Sequence, residues 1–183
     1  MRLMNMGDIK VVDNFLEKDT FKYIQGEVLS RRFNWTWCDS VLGYTEDHVN
    51  PADDTQFEHL MMATQPVAMK IGQKYEFYIS PTMELIRPIL NNVPIRSLFR
   101  VKFNLNPRTP NIIEHGFHVD CAYPDSVTAV MYFNTCNGYT KFEDGTKVES
   151  VENRMVFFNS QMKHTGSTCT DEKRRVVLNL NYF

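Results

Sequence analysis

No stretch of this 183-residue chain stays apolar for the roughly 20 residues that a membrane-spanning helix requires. The opening residues, MRLMNMGDIKVVD, meet Asp and Lys before an apolar run of signal-peptide length can form. The chain therefore reads as soluble and cytoplasmic, with no membrane partner. Runs of Lys or Arg are missing as well. With 20 basic against 22 acidic residues the formal charge is −2, so no patch exists to neutralise the phosphates of a duplex, and nucleic acid is disfavoured as a partner. Cysteine is sparse: Cys38, Cys121, Cys136 and Cys169 form no C-x-x-C pair and share no regular spacing. That pattern argues against a zinc knuckle and a disulfide framework and leaves ordinary reduced thiols. Internal repeats and low-complexity segments are absent.

What is present is material for one core. Hydrophobic residues make up 43% of the chain and aromatic residues 13%, and the length predicts one domain over residues 1–183. Asp13 followed by NFLEKDTFKYIQGEVLSRR offers a capping residue and then Phe15, Leu16, Phe21, Ile24, Val28 and Leu29 at helical spacing. Next, FNWTW alternates Phe33, Trp35 and Trp37 with polar residues, which predicts a strand whose tryptophans enter the core or line an aromatic groove. NPADDT, from Asn50 to Thr55, predicts a loop, and QFEHLMMA an extended segment. SPTMELIRPILNN predicts a helix that Pro88 kinks or divides.

From Ser97 the character changes. SLFRVKFNLN, GFHVDCA, SVTAVMYFN, YTKFE, TKVESV, MVFFNS and RRVVLNLNYF are short alternating runs separated by NPRTP, NTCNG and EDG. Many short strands at close spacing predict a β-sandwich or barrel, a mainly β fold with flanking helices in an α+β arrangement.

Within this half, EHGFHVD sets His118 and Asp120 two apart on a predicted strand, so both side chains point the same way and can grip one ion. His48, His59, His115 and His164 remain as a third ligand. His164 is the best placed, because it stands between two predicted strands where sheets can face each other. Two His and one carboxylate on one face of an octahedral iron leave positions for a chelating co-substrate and dioxygen, whereas zinc prefers a fuller nitrogen or sulfur donor set. The tail HTGSTCTDEKRRVVLNLNYF adds a double Arg leading into an apolar strand, and a guanidinium is a planar fork for a desolvated carboxylate.

Taken together, RVKFNLNP, HVD, SVTAVMYFN, GYTKFEDG, VFFNSQMKH and RRVVLNLNYF resemble the 2-oxoglutarate- and Fe(II)-dependent oxygenases, in particular their prolyl-4-hydroxylase-like branch. The resemblance implies a double-stranded β-helix, a jelly roll of cupin type, backed by N-terminal helices, with a catalytic core over residues 97–183. It implies His118, Asp120 and His164 as catalytic metal ligands, and Fe(II), 2-oxoglutarate and dioxygen as cofactor and co-substrates, with ascorbate as an accessory reductant. Either Arg174 or Arg175 would hold the far carboxylate of 2-oxoglutarate; strand alternation groups Arg175 with Val177, Asn179 and Asn181, which favours it. Tyr132, with Thr128 on the same face, matches the family's 2-oxoglutarate tyrosine, although a core tyrosine fits equally. Asn104 and Asn106 occupy a place where the family often has a tyrosine. The activity implied is hydroxylation of a C–H bond in a peptidyl residue with release of succinate and CO2. A free amino acid or other small molecule is the alternative substrate, a non-catalytic jelly-roll binding protein or a cupin-type metalloenzyme the alternative class. In the last case His115 is the spare ligand, three residues before His118 and so on the opposite face of a strand.

Overall fold

A computed structural model describes residues 7–41, 55–64, 77–121 and 123–183. The loop expected at NPADDT and His48 lie outside the described residues but for Thr55. Among the described residues eleven strands form two antiparallel sheets. The larger contains β1 (Ile9–Val12), β9 (Arg154–Asn159), β6 (Val127–Tyr132), β11 (Arg174–Tyr182), β5 (Leu98–Pro107), β3 (Gln56–Thr64) and β2 (Thr36–Cys38) in that spatial order, with β4 (Phe77–Ile79) also paired to β3. The smaller has the order β10 (His164–Gly166), β7 (Tyr139–Phe142), β8 (Lys147–Glu149).

The pleat of the large sheet divides its residues cleanly. On one face Val101, Phe103, Leu105, Ala129, Met131, Met155, Phe157, Val176, Leu178 and Leu180 join the main core. Helix α1 (Lys18–Val28) closes that face with Phe21, Ile24 and Val28, spaced so that one stripe of the helix is apolar. On the other face Val130, Tyr132, Val156, Phe158 and Val177 meet Phe142 and Val148 of the small sheet in a second core. Two stacked sheets with a helix on the outside make a distorted jelly roll, and the space between the sheets is where ligands can enter.

Several local expectations shift. Helix α1 is capped by Glu17, whose carboxylate accepts the Asp19 and Thr20 amides at 2.9 and 3.1 Å. Asp13 instead pairs with Arg154 Nε at 2.6 Å, because Asn14 turns the chain with φ 50° before the helix begins. The Pro88 segment does divide, into a 3-10 turn over Met83–Ile86 and helix α2 (Arg87–Asn91), with Pro88 in the first turn where no amide is needed. Of FNWTW only Thr36 and Trp37 are strand, the first two residues of β2. Trp35 packs edge-on to Phe103, while Trp37 is 53% exposed and packs edge-on to Phe57. The edge strand β1 has too few residues for its alternation to stand out in the sequence. Among the described residues no helix is long and apolar enough to cross a membrane.

Candidate metal and co-substrate site

Residues 116–121 do not form a full strand. They meet β10 through one isolated bridge, His118 with His164, the pair exchanging both backbone bonds at 3.0 Å, while just outside these two segments Glu114 bridges Ser167. This places His164 directly across from His118, and the rings lie with centroids 4.6 Å apart. Asp120, two residues on, turns inward from the same segment. His118 Nε2 is 4.0 Å from Asp120 Oδ1, His164 Nε2 is 3.7 Å from Asp120 Oδ2, and one donor atom from each residue lies within 4.8 Å of the others.

Each donor is prepared by its neighbours. His118 Nδ1 lies 3.2 Å from the Gly116 carbonyl and His164 Nδ1 2.9 Å from that of Met162. A carbonyl can only accept, so both Nδ1 atoms carry the proton and both Nε2 lone pairs face the gap. Burial, with the neighbouring His164 next, pulls the His118 pKa down from 6.5 to about 4, which keeps that ring neutral. For Asp120, burial alone favours the acid. The Arg100 guanidinium overrides it and, with the two imidazoles and the Thr128 hydroxyl, holds the carboxyl well below the usual range. Arg100 Nη2 donates to Asp120 Oδ1 at 2.6 Å, while Thr128 Oγ1 and Asn181 Nδ2 donate to Oδ2 at 2.8 and 3.1 Å. Three strands thus converge on one carboxylate.

Further into the space between the sheets lies a buried cation. Arg175 is 2% exposed, and among the described residues no carboxylate pairs with it. Its Nη2 donates to Thr140 Oγ1 at 3.2 Å, Nη1 approaches the Ser167 carbonyl at 3.4 Å, and Nε has no hydrogen-bond partner. Tyr132 donates to the same Thr140 hydroxyl at 2.9 Å, and the guanidinium carbon sits 5.5 Å from the Tyr132 ring centroid. Gly138 leaves room for the arginine stem: a Cβ there would stand 2.6 Å from Arg175 Cδ and 2.7 Å from the Thr168 carbonyl. Thr140 is opposite Gly166, and Phe142 opposite His164, so the Arg175 cluster is offset from the His–Asp–His group by two residues of strand, roughly 7 Å.

The remaining residues sort as follows. Arg174 points to the other face and donates to the Leu29 carbonyl at 3.0 Å. Thr128, expected to face 2-oxoglutarate, has its hydroxyl taken by Asp120, because it stands opposite Asn181 whereas Tyr132 stands opposite Val177. Asn106 has its amide nitrogen 3.2 Å from His115 Nε2, which sets His115 apart from the donor trio. The side-chain oxygens of Asn104 and Asn179 are buried without a hydrogen-bond partner. A second trio, Cys136, Cys169 and Asp171, lies in the loops beside Arg175; all four cysteines are unbridged. Arg100 and Thr140 carry no sequence signal, since a lone Arg or Thr in an alternating strand looks like any solvent-facing residue.

No protein-family model matches the chain, and no curated protein gives a significant match. Solved structures do. A prolyl hydroxylase from Trichoplax adhaerens, in complex with a hypoxia-inducible-factor peptide fragment, superposes with TM-score 0.58 at 14% identity over 96% of this chain and 83% of that one. The viral collagen prolyl hydroxylase of Paramecium bursaria Chlorella virus-1, complexed with 2-oxoglutarate, gives 0.52 at 15% identity over 97% and 98%. The fold is that of the 2-oxoglutarate- and Fe(II)-dependent oxygenases. A carbocyclase of nogalamycin biosynthesis, α-ketoglutarate-dependent, shares this oxygenase fold with TM-score 0.61 at 12% identity over 95% and 78%. One neighbour is complexed with a peptide and another belongs to nogalamycin biosynthesis, so the likeness in fold does not itself name a substrate.

Proposed function

We propose that the protein is an Fe(II)- and 2-oxoglutarate-dependent dioxygenase that hydroxylates a C–H bond of a peptidyl residue, in the manner of a prolyl hydroxylase. The observation that carries this reading is the pairing of an open His–Asp–His donor group with a buried guanidinium one step further in, with which no carboxylate among the described residues pairs. A divalent cation fits the first, because two imidazole lone pairs and one ionised carboxylate already face a common gap. A dicarboxylate fits the second, since Arg175 keeps an unpartnered Nε and its burial lowers its pKa, as expected of a cation awaiting an anion.

In this reading His118, Asp120 and His164 hold the metal, and Arg175 with Thr140 and Tyr132 grips the far carboxylate of 2-oxoglutarate. When bound, iron and 2-oxoglutarate supply dioxygen activation, with succinate and CO2 as by-products. The chain's own contribution is positional: carbonyls of Gly116 and Met162 fix the imidazole tautomers, and Arg100 and Thr128 keep Asp120 ionised and oriented. The Val130, Phe142, Val156 and Phe158 wall keeps water from the inner end. The peptidyl substrate is supported by the Trichoplax neighbour, which is complexed with a peptide. Succinate release across peptides, free amino acids and nucleic acids tests the whole proposal. A peptide should give the fastest release and Asp120→Ala none; unchanged succinate formation in Asp120→Ala overturns the ligand assignment.

A further inference from the structure

Arg100 stands where the co-substrate does not need it. It lies on the inner face of β5, its side chain 17% exposed, with Nε donating to Asn181 Oδ1 at 2.6 Å and Nη2 to Asp120 Oδ1 at 2.6 Å. Its Nη1 edge meets no hydrogen-bond partner among the described residues. The nearby charges on the same face of β5 and β3, Lys102 and Glu58, neutralise each other at 2.9 Å.

Charge bookkeeping then identifies a vacancy. On the reading proposed above, a divalent metal takes the charge of Asp120, and 2-oxoglutarate brings two negative charges against the metal and Arg175. Counted over the described residues with Arg100 included, the space between the sheets then holds one unit of positive charge in excess. An uncompensated charge in a partly desolvated site is costly, and an anion placed against it recovers that cost. A guanidinium with a free edge binds a carboxylate best, because its parallel N–H groups match the two oxygens.

We propose that the primary substrate carries a free carboxylate and that Arg100 receives it. This rests on the oxygenase reading, and it narrows the substrate to an acid: a free amino acid, the C-terminus of a peptide, or an acidic side chain within one. Arg100 thereby has two roles in one place, positioning Asp120 and selecting the substrate.

The test uses protein loaded with zinc, which takes the same donors without turnover, and saturated with 2-oxoglutarate. Ligand-observed NMR titrations compare free amino acids, short peptides with free C-termini and end-blocked peptides bearing Asp or Glu, each against its matched carboxamide. At least one acid arm should bind about tenfold or more tightly than its amide, and that arm names the source of the carboxylate. Arg100→Gln, held at a zinc concentration that analysis shows to keep the metal site filled, should abolish the preference. Arg100→Lys, which keeps the charge, serves should the Gln variant release zinc, and it should keep part of the preference. Equal binding of every acid and its amide by the wild-type protein overturns the Arg100 assignment, as does a preference that survives in Arg100→Gln. Failure of the zinc-loaded protein to bind 2-oxoglutarate at all overturns the oxygenase reading itself, so the two failures are distinct.

Discussion

The two faces of β5 and β11 share one backbone and one set of ladder bonds, yet they behave as different materials. One face carries Val101, Phe103, Leu105, Val176, Leu178 and Leu180, all buried in the main core under α1. The other carries Arg100, Asn104, Asn106, Arg175, Asn179 and Asn181, polar groups turned toward the small sheet, several of them buried. On the first face the side chains join one apolar cluster. On the second, Asn104 Oδ1, Asn179 Oδ1 and Arg175 Nε have no hydrogen-bond partner, a burden of roughly 1–3 kcal/mol for each such group. The contrast teaches that period-two alternation separates holding the fold from holding a ligand, and that the second face gives up stability to remain receptive.

This division can be broken from either side. The largest effect is expected on the apolar face: Phe103→Ala removes a fully buried ring that touches Phe33, Trp35 and Phe133. It should cost about 3–5 kcal/mol in denaturant unfolding while the folded protein binds metal as before. Arg175→Met should do the reverse, weakening 2-oxoglutarate binding about a hundredfold, near 2.7 kcal/mol, with the ligand-free protein melting no lower than wild type. A clear loss of melting temperature in ligand-free Arg175→Met would mean that the guanidinium serves the fold. Thr128→Val, which removes one donor to Asp120, should lower metal affinity about 10–100-fold by competition with a chelating dye.

The smallest effect is the pH dependence of the metal-free protein. The folded-state pKa of His118 is depressed from 6.5 to about 4, so between those values the unfolded chain binds the extra proton and the folded one does not. This contribution is fully present above pH 6.5 and is lost as pH falls toward about 4. Asp120, likewise depressed, adds a further loss below its ordinary value. As pH falls through that window the melting temperature of the wild type should drop more steeply than that of His118→Asn; parallel curves contradict the assignment.

The legible part of the site was the part written in spacing. His118 and Asp120 two apart, and His164 between two strands, are visible because alternation puts a pair on one face and turns bring strand ends together. Parity also separated Arg175 from Arg174, and the structure sets those two guanidiniums on opposite faces. A β-sandwich or barrel was legible in the rhythm of short strands after Ser97, the jelly roll in the family resemblance, and the neighbours share that fold. What stayed hidden depends on contacts between distant segments. Arg100 meets Asp120 only because β5 crosses beneath the His118 segment, and Thr140 meets Arg175 only because the small sheet folds over the large one. Trp37 misled because alternation in FNWTW promises a buried strand, whereas β2 is a three-residue edge with one side open. Helix α1 begins later than Asp13 suggests, since the Glu17 carboxylate is the group that reaches its free amides.

The central claim is that one space holds a metal at His118, Asp120 and His164 and a dicarboxylate at Arg175. Anaerobic titration of the purified protein with Fe(II), followed by 2-oxoglutarate, tests both halves in one cuvette. The account predicts stoichiometric iron and a visible absorption band that grows with 2-oxoglutarate in the wild type and is lost at the same concentrations in Arg175→Met. A wild-type protein that binds no iron, or an Arg175→Met protein whose band grows as readily, would contradict it.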